Sequence, residues 1–136
     1  MLDLPIIGVN APREHQRIIR KLAMKLGNLF ESGAIPYEPF PEMMVDEGKT
    51  SQTPDIILFD NESYQNKVII EITTPSALKS DFEKISGIVA SYEIAEGFVY
   101  DYLKERWRKY KYGAGEITDW PSFCESIGYD LNDFVK

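Results

Sequence analysis

Apolar residues recur at helical spacing through Ile18, Ile19, Leu22, Leu26, Leu29 and Phe30, which predicts an amphipathic helix from Asn10 to about Ser32. Asn10 can cap its start, Pro12 is tolerated in the first turn, and Gly33 ends the run. Residues 1–9 read as an irregular arm or a short edge strand. Tyr37 to Val45 reads as extended chain interrupted by prolines, a pattern that suits a sheet edge, and Asp46 to Gln52 reads as a loop. Two dense apolar runs follow. Pro54 to Asp60 closes on the turn residues Asp60-Asn-Glu-Ser, and Lys67 to Thr74 stops at Pro75. Leu78, Phe82, Ile85, Val89 and Tyr92 then fall on one face of a second helix. Gly97 to Leu103 and Arg106 to Tyr112 read as hairpin partners across a turn near Lys104-Glu105. Trp120 to Lys136 is ambiguous between a short helix and a strand, with a final helical turn at Leu131-Asn-Asp-Phe. The order αβββαββ with a small tail predicts an α/β (α+β) fold, a mixed β-sheet with helices packed on it.

The 136 residues, 43% hydrophobic and 27% charged, suit one globular domain, with a core over about 10–112 and a tail over 113–136. Cys124 is the only cysteine, and no apolar run approaches a membrane span. The first residues lack the basic region of a signal peptide. Together these features predict a cytoplasmic protein. A net charge of −7 argues against general affinity for polyanions, but the charge is unevenly spread. Basic residues concentrate between Arg13 and Lys25 and between Lys104 and Lys111, on either side of an acidic centre. Such flanks can bind a polyanion locally, or can be solvated faces.

Acids placed inside apolar strands carry the candidate chemistry. Val68-Ile-Ile-Glu-Ile-Thr73 reads as a central strand covered on both faces, with Glu71 in its middle, sharing a pleat face with Ile69 and Thr73. Burying a lone carboxylate costs several kcal/mol, so Glu71 needs a salt-bridge partner, a polar outer face, a bound cation or a catalytic task. Asp55 opens the neighbouring run, where it is either a turn residue or a second carboxylate converging with Glu71 on one hard cation. On the second helix Lys84 either pairs with Asp81 at i, i+3 or bends over the strand ends toward the carboxylates. In the first helix His15 reads as a structural residue, and Glu14 as an acid able to supply a further, water-mediated metal contact. Of these two neighbours one faces inward, and the sequence leaves open which.

Pro54-Asp55, followed by Glu71-Ile72-Thr73 and then by Asp81-x-x-Lys84 and Tyr92-Glu-Ile-Ala-Glu-Gly97-Phe-Val-Tyr-Asp101, resembles the PD-(D/E)XK nuclease superfamily. Within it the chain looks like a branch of small bacterial predicted restriction endonucleases, formerly a domain of unknown function. The resemblance spans about residues 10–112. It implies a restriction-endonuclease-like core and Mg²⁺- or Mn²⁺-dependent cleavage of phosphodiesters in DNA. Asp55, Glu71 and the Ile72 carbonyl would hold the metal, Lys84 would act as the catalytic lysine, and Glu14 would complete the surroundings. The lysine usual two residues after the second acid is Thr73 here, and Lys84 matches the helix lysine that substitutes for it in that branch. Arg106, Arg108, Lys109 and Lys111, interleaved with Trp107, Tyr110 and Tyr112, are candidate nucleic-acid contacts; the other reading of that hairpin is a sheet edge defended by charge. Cutting both strands of a duplex would call for two sites, as in a homodimer, although no residue demonstrates one. The alternatives are a catalytically inactive nuclease-like fold that binds nucleic acid or protein, and a structural domain whose buried acids merely pair with basic residues.

Overall fold

A computed structural model describes residues 3–43, 45 and 53–136, with side chains described from Arg13 onward. Helix α1 runs Asp3–Glu31, strand β1 Glu38–Pro41, β2 Ile56–Asp60 and β3 Gln65–Thr73. Helix α2, Leu78–Tyr92, leads to β4 at Glu96–Asp101, β5 at Arg106–Lys111 and β6 at Gly115–Ile117. A two-stranded hairpin, β7 (Phe123–Cys124) with β8 (Tyr129–Asp130), and a 3-10 turn at Leu131–Phe134 complete the chain.

The six strands lie in sequence order, β1-β2-β3-β4-β5-β6. All neighbours are antiparallel except β3 and β4, which run parallel because α2 carries the chain back across the sheet between them. This is the α/β (α+β) mixed sheet that the pattern of apolar residues predicts.

The pleat sorts the core into two layers. Ile56, Leu58, Val68, Ile70, Ile72, Phe98 and Tyr100 face α1, where they meet Ile18, Ile19, Leu22 and Leu26. Ile57, Ile69 and Val99 face α2 and pack on Phe82, Ile85 and Val89. Both faces of β3 are covered, which accounts for its nearly unbroken β-branched sequence. Gly97 allows α2 to lie close on β4. A Cβ there would stand 2.6 Å from a methyl of Ile85 and 2.7 Å from one of Val89.

Three features differ from the sequence expectation. First, α1 starts at Asp3 rather than Asn10. Pro12 reads locally as a start signal, yet its missing N–H removes only one rung from a helix that continues through it. Second, β5 is not an edge, because β6 pairs outside it through Lys109–Ile117 and Lys111–Gly115. Three residues are too few to show an alternation. Third, the tail packs beneath α1: Cys124, Leu131 and Val135 join that core layer, and Lys25 Nζ donates to the Lys136 carbonyl at 3.0 Å. The expected loop Asp46 to Gln52 lies outside the described residues, as do residues 1 and 2 of the expected arm. The proline-broken first strand is at an edge, but shorter than Tyr37 to Val45.

Candidate active site at the end of β3

Asp55 directly precedes β2, and the register that pairs Ile56 with Ile70 puts it beside Glu71 and Ile72. Each carboxylate accepts from a backbone N–H on the neighbouring strand. The Asp55 N–H donates to Glu71 Oε1 at 3.2 Å, and the Ile72 N–H donates to Asp55 Oδ2 at 2.7 Å. Glu71 points to the α2 side of the sheet, where the Lys84 ammonium donates to its Oε2 at 3.1 Å. Of the two alternatives for Lys84, the structure has the one directed at the carboxylates. Its i, i+3 neighbour Asp81 accepts instead from the Thr73 hydroxyl at 2.6 Å.

Helix α1 closes the other side. His15 Nε2 lies 3.1 Å from Asp55 Oδ2 and 3.1 Å from the Ile72 carbonyl oxygen. Glu14 turns outward and pairs with Arg17 one turn along. The sequence left open which of the two faces inward; it is His15, because it falls on the helix face shared with Ile18, Ile19 and Leu22. The expected contribution of Glu14 to the site is therefore replaced by an imidazole.

The electrostatics of the cluster are unbalanced. Burial, reinforced by the nearby Asp55 charge, pushes the Glu71 carboxyl up to about 7, and the opposing pull of Lys84 does not restore it. His15 is shifted upward chiefly by its hydrogen bond to Asp55, which outweighs the effect of its partial burial. Among the described residues, no group of three or more His, Cys, Asp and Glu side chains forms a metal cluster. What converges is two carboxylates and one backbone carbonyl, with a lysine and a histidine alongside.

A solved structure from Anabaena variabilis, described as a putative nuclease belonging to DUF820, is similar to this chain with a TM-score of 0.62, 15% identity, and coverage of 90% of this chain and 80% of that one. The fold is nuclease-like. At that identity the likeness concerns the fold alone. No family model matches the chain, and no curated protein matches it significantly.

The expected nucleic-acid contacts on β5 are engaged within the protein. Arg106 pairs with buried Asp101 at 2.9 Å, and Arg108 forms a two-pronged pair with Glu116 at 2.9 and 2.8 Å. Lys111 bonds Glu125 at 2.9 Å. Lys109 requires a correction: only 1% exposed, it cannot reach a phosphate. Its ammonium sits 2.8 Å from Glu96, 3.0 Å from Glu125 and 2.8 Å from the Phe123 carbonyl. Lys109 falls on the inward side of the pleat, and the acids that neutralise it come from β4 and from a tail whose position the sequence pattern did not show. No described helix is long and apolar enough to cross a membrane.

Proposed function

We propose that the chain is a Mg²⁺-dependent phosphodiester hydrolase of the PD-(D/E)XK type, acting on DNA. The observation that carries this reading is the convergence of Asp55, Glu71 and the Ile72 carbonyl at the end of β3, with Lys84 hydrogen-bonded to Glu71. The donor set fits a small hard cation. All three groups offer oxygen, Mg²⁺ keeps several waters and needs few protein ligands, and the Asp55 and Ile72 oxygens already share one N–H donor. The upward shift of Glu71 also indicates a carboxylate short of positive charge.

When bound, the cation (Mg²⁺ or Mn²⁺) supplies a water of lowered pKa and charge neutralisation at the scissile phosphate. The protein's part is positioning. Asp55 is held by the Ile72 N–H and Glu71 by the Asp55 N–H, so neither has to be ordered at the moment of reaction. Lys84, with a side chain 36% exposed, stands between Glu71 and solvent, where its ammonium orients the attacking water or takes up charge developing on the phosphate. Thr73, at the superfamily's usual lysine position, is engaged with Asp81 and leaves that task to Lys84.

The test is cleavage of plasmid and linear DNA with Mg²⁺ or Mn²⁺, comparing wild type with Glu71→Gln and Asp55→Asn. Both variants should fold and lose metal-dependent cleavage; full activity in Glu71→Gln would overturn the assignment. A binding module on a nuclease-like fold is favoured by one observation, the absence of a strand lysine at Thr73. It predicts DNA or protein binding without turnover by the wild type in any divalent ion.

A further inference from the structure

The site contains an occupant of its own. His15 Nε2 is 3.1 Å from Asp55 Oδ2 and 3.1 Å from the Ile72 carbonyl oxygen, and both of these accept, so Nε2 carries the hydrogen. They are two of the three oxygens assigned to the cation in the proposed function, on which this inference rests. Mg²⁺ binds oxygen at about 2.0–2.1 Å, closer than the 3.1 Å of the ring N–H, so an ion would take over the two oxygens that the ring N–H now engages. We infer that His15 is a built-in competitor of the cation: it bonds the Asp55 and Ile72 oxygens that the ion would take, and gives way when the ion binds.

Three features support displacement over direct ligation. Imidazole suits zinc, copper, iron and nickel, whereas Mg²⁺ prefers oxygen and its own water, so the ring gains little by staying. The His15 side chain is 30% exposed against 14% for Asp55, which gives the ring a path to solvent. The helix beneath it is fixed by Ile18, Ile19, Leu22 and Leu26 in the core, so the movement is a side-chain rotation and the fold stays in place. His15 thereby sets how much cation the site needs before it fills. It is a positioning residue for the site.

The experiment is calorimetric titration of Mg²⁺ and of Mn²⁺ into the DNA-free protein, comparing wild type, His15→Ala, His15→Leu and Asp55→Asn. Melting curves establish folding, and the leucine variant keeps the packing volume should the alanine variant fail. Both His15 variants should bind Mg²⁺ on the order of tenfold more tightly than wild type, the scale set by losing hydrogen bonds to a charged group. A merely structural histidine would not raise affinity on removal. Unchanged or weaker binding in the His15 variants, with wild-type binding intact and lost in Asp55→Asn, would overturn the competitor role and leave the metal site standing. Absence of heat from every form would overturn both. In the wild-type protein, the His15 ring nitrogen resonances should move to those of a solvated imidazole on Mg²⁺ saturation; signals that stay in place would overturn the displacement.

Discussion

Two buried glutamates on adjacent parallel strands have opposite fates. Glu96, at the start of β4, is 1% exposed and surrounded by donors: the Lys109 ammonium, the N–H groups of Glu125 and Ser126, and the Ser126 hydroxyl. Burial alone would push its carboxyl up, but these partners together bring it below the usual range. Glu71, near the end of β3, is also buried, but it has one ammonium and one backbone N–H against a second carboxylate, and it is pushed up to about 7. Residue type and burial are therefore poor guides to function by themselves. The informative quantity is the balance of partners: a satisfied buried acid holds structure together, and an under-compensated one is a candidate functional group.

The comparison is tested most severely at the two lysines. Lys109→Ala strips a buried acid of its principal countercharge and should cost about 3–5 kcal/mol in denaturant unfolding. Lys84→Ala should lower stability by less than about 1 kcal/mol, because Lys84 is part-exposed and Glu71 can take up a proton instead. Cleavage should show the reverse order, with Lys84→Ala losing about 10²–10³-fold in turnover if the ammonium stabilises the transition state. Equal stability losses at the two positions would erase the distinction.

The pH dependence follows from the directions of the shifts. A depressed carboxyl such as Glu96 contributes stability that is present above its unfolded value and is lost as pH falls through its folded value. Unfolding at a series of pH values below 5 should show that acid limb in the wild type and a shallower one in Glu96→Gln. Glu71 has the opposite sign. Its folded value of about 7 lies above the ordinary 4.5, so ionising it removes stability as pH rises between the two. Glu71→Gln should flatten that part of the profile. The smallest effect belongs to β5: a double-mutant cycle on Arg108 and Glu116 should give about 0.2–1 kcal/mol, since both side chains are about one-third exposed. A much larger coupling would place this surface pair among the structural networks with Glu96.

Much of the architecture is readable along the chain, because it depends on short-range patterns. The periodicities of α1, β2, β3, α2, β4 and β5 are visible, and so is the pairing of an acid before one strand with an acid inside the next. Pro39 and Pro41 mark β1 as an edge. The residues Asp55, Glu71, Ile72 and Lys84 follow from that pattern together with the superfamily resemblance. Tertiary structure decided the rest, because it depended on which groups meet. Whether Lys84 turned to Asp81 or to Glu71 was decided in the fold, where Lys84 reaches Glu71 and Asp81 accepts from Thr73. Whether Glu14 or His15 faced the site was fixed by the rotational setting of α1 against the sheet. The basic residues of β5 read either as phosphate contacts or as a charged edge until the acids of β4, β6 and the tail are placed beside them. A sequence records which charges a chain carries, but compensation is a property of distance, and the fold alone sets the distances.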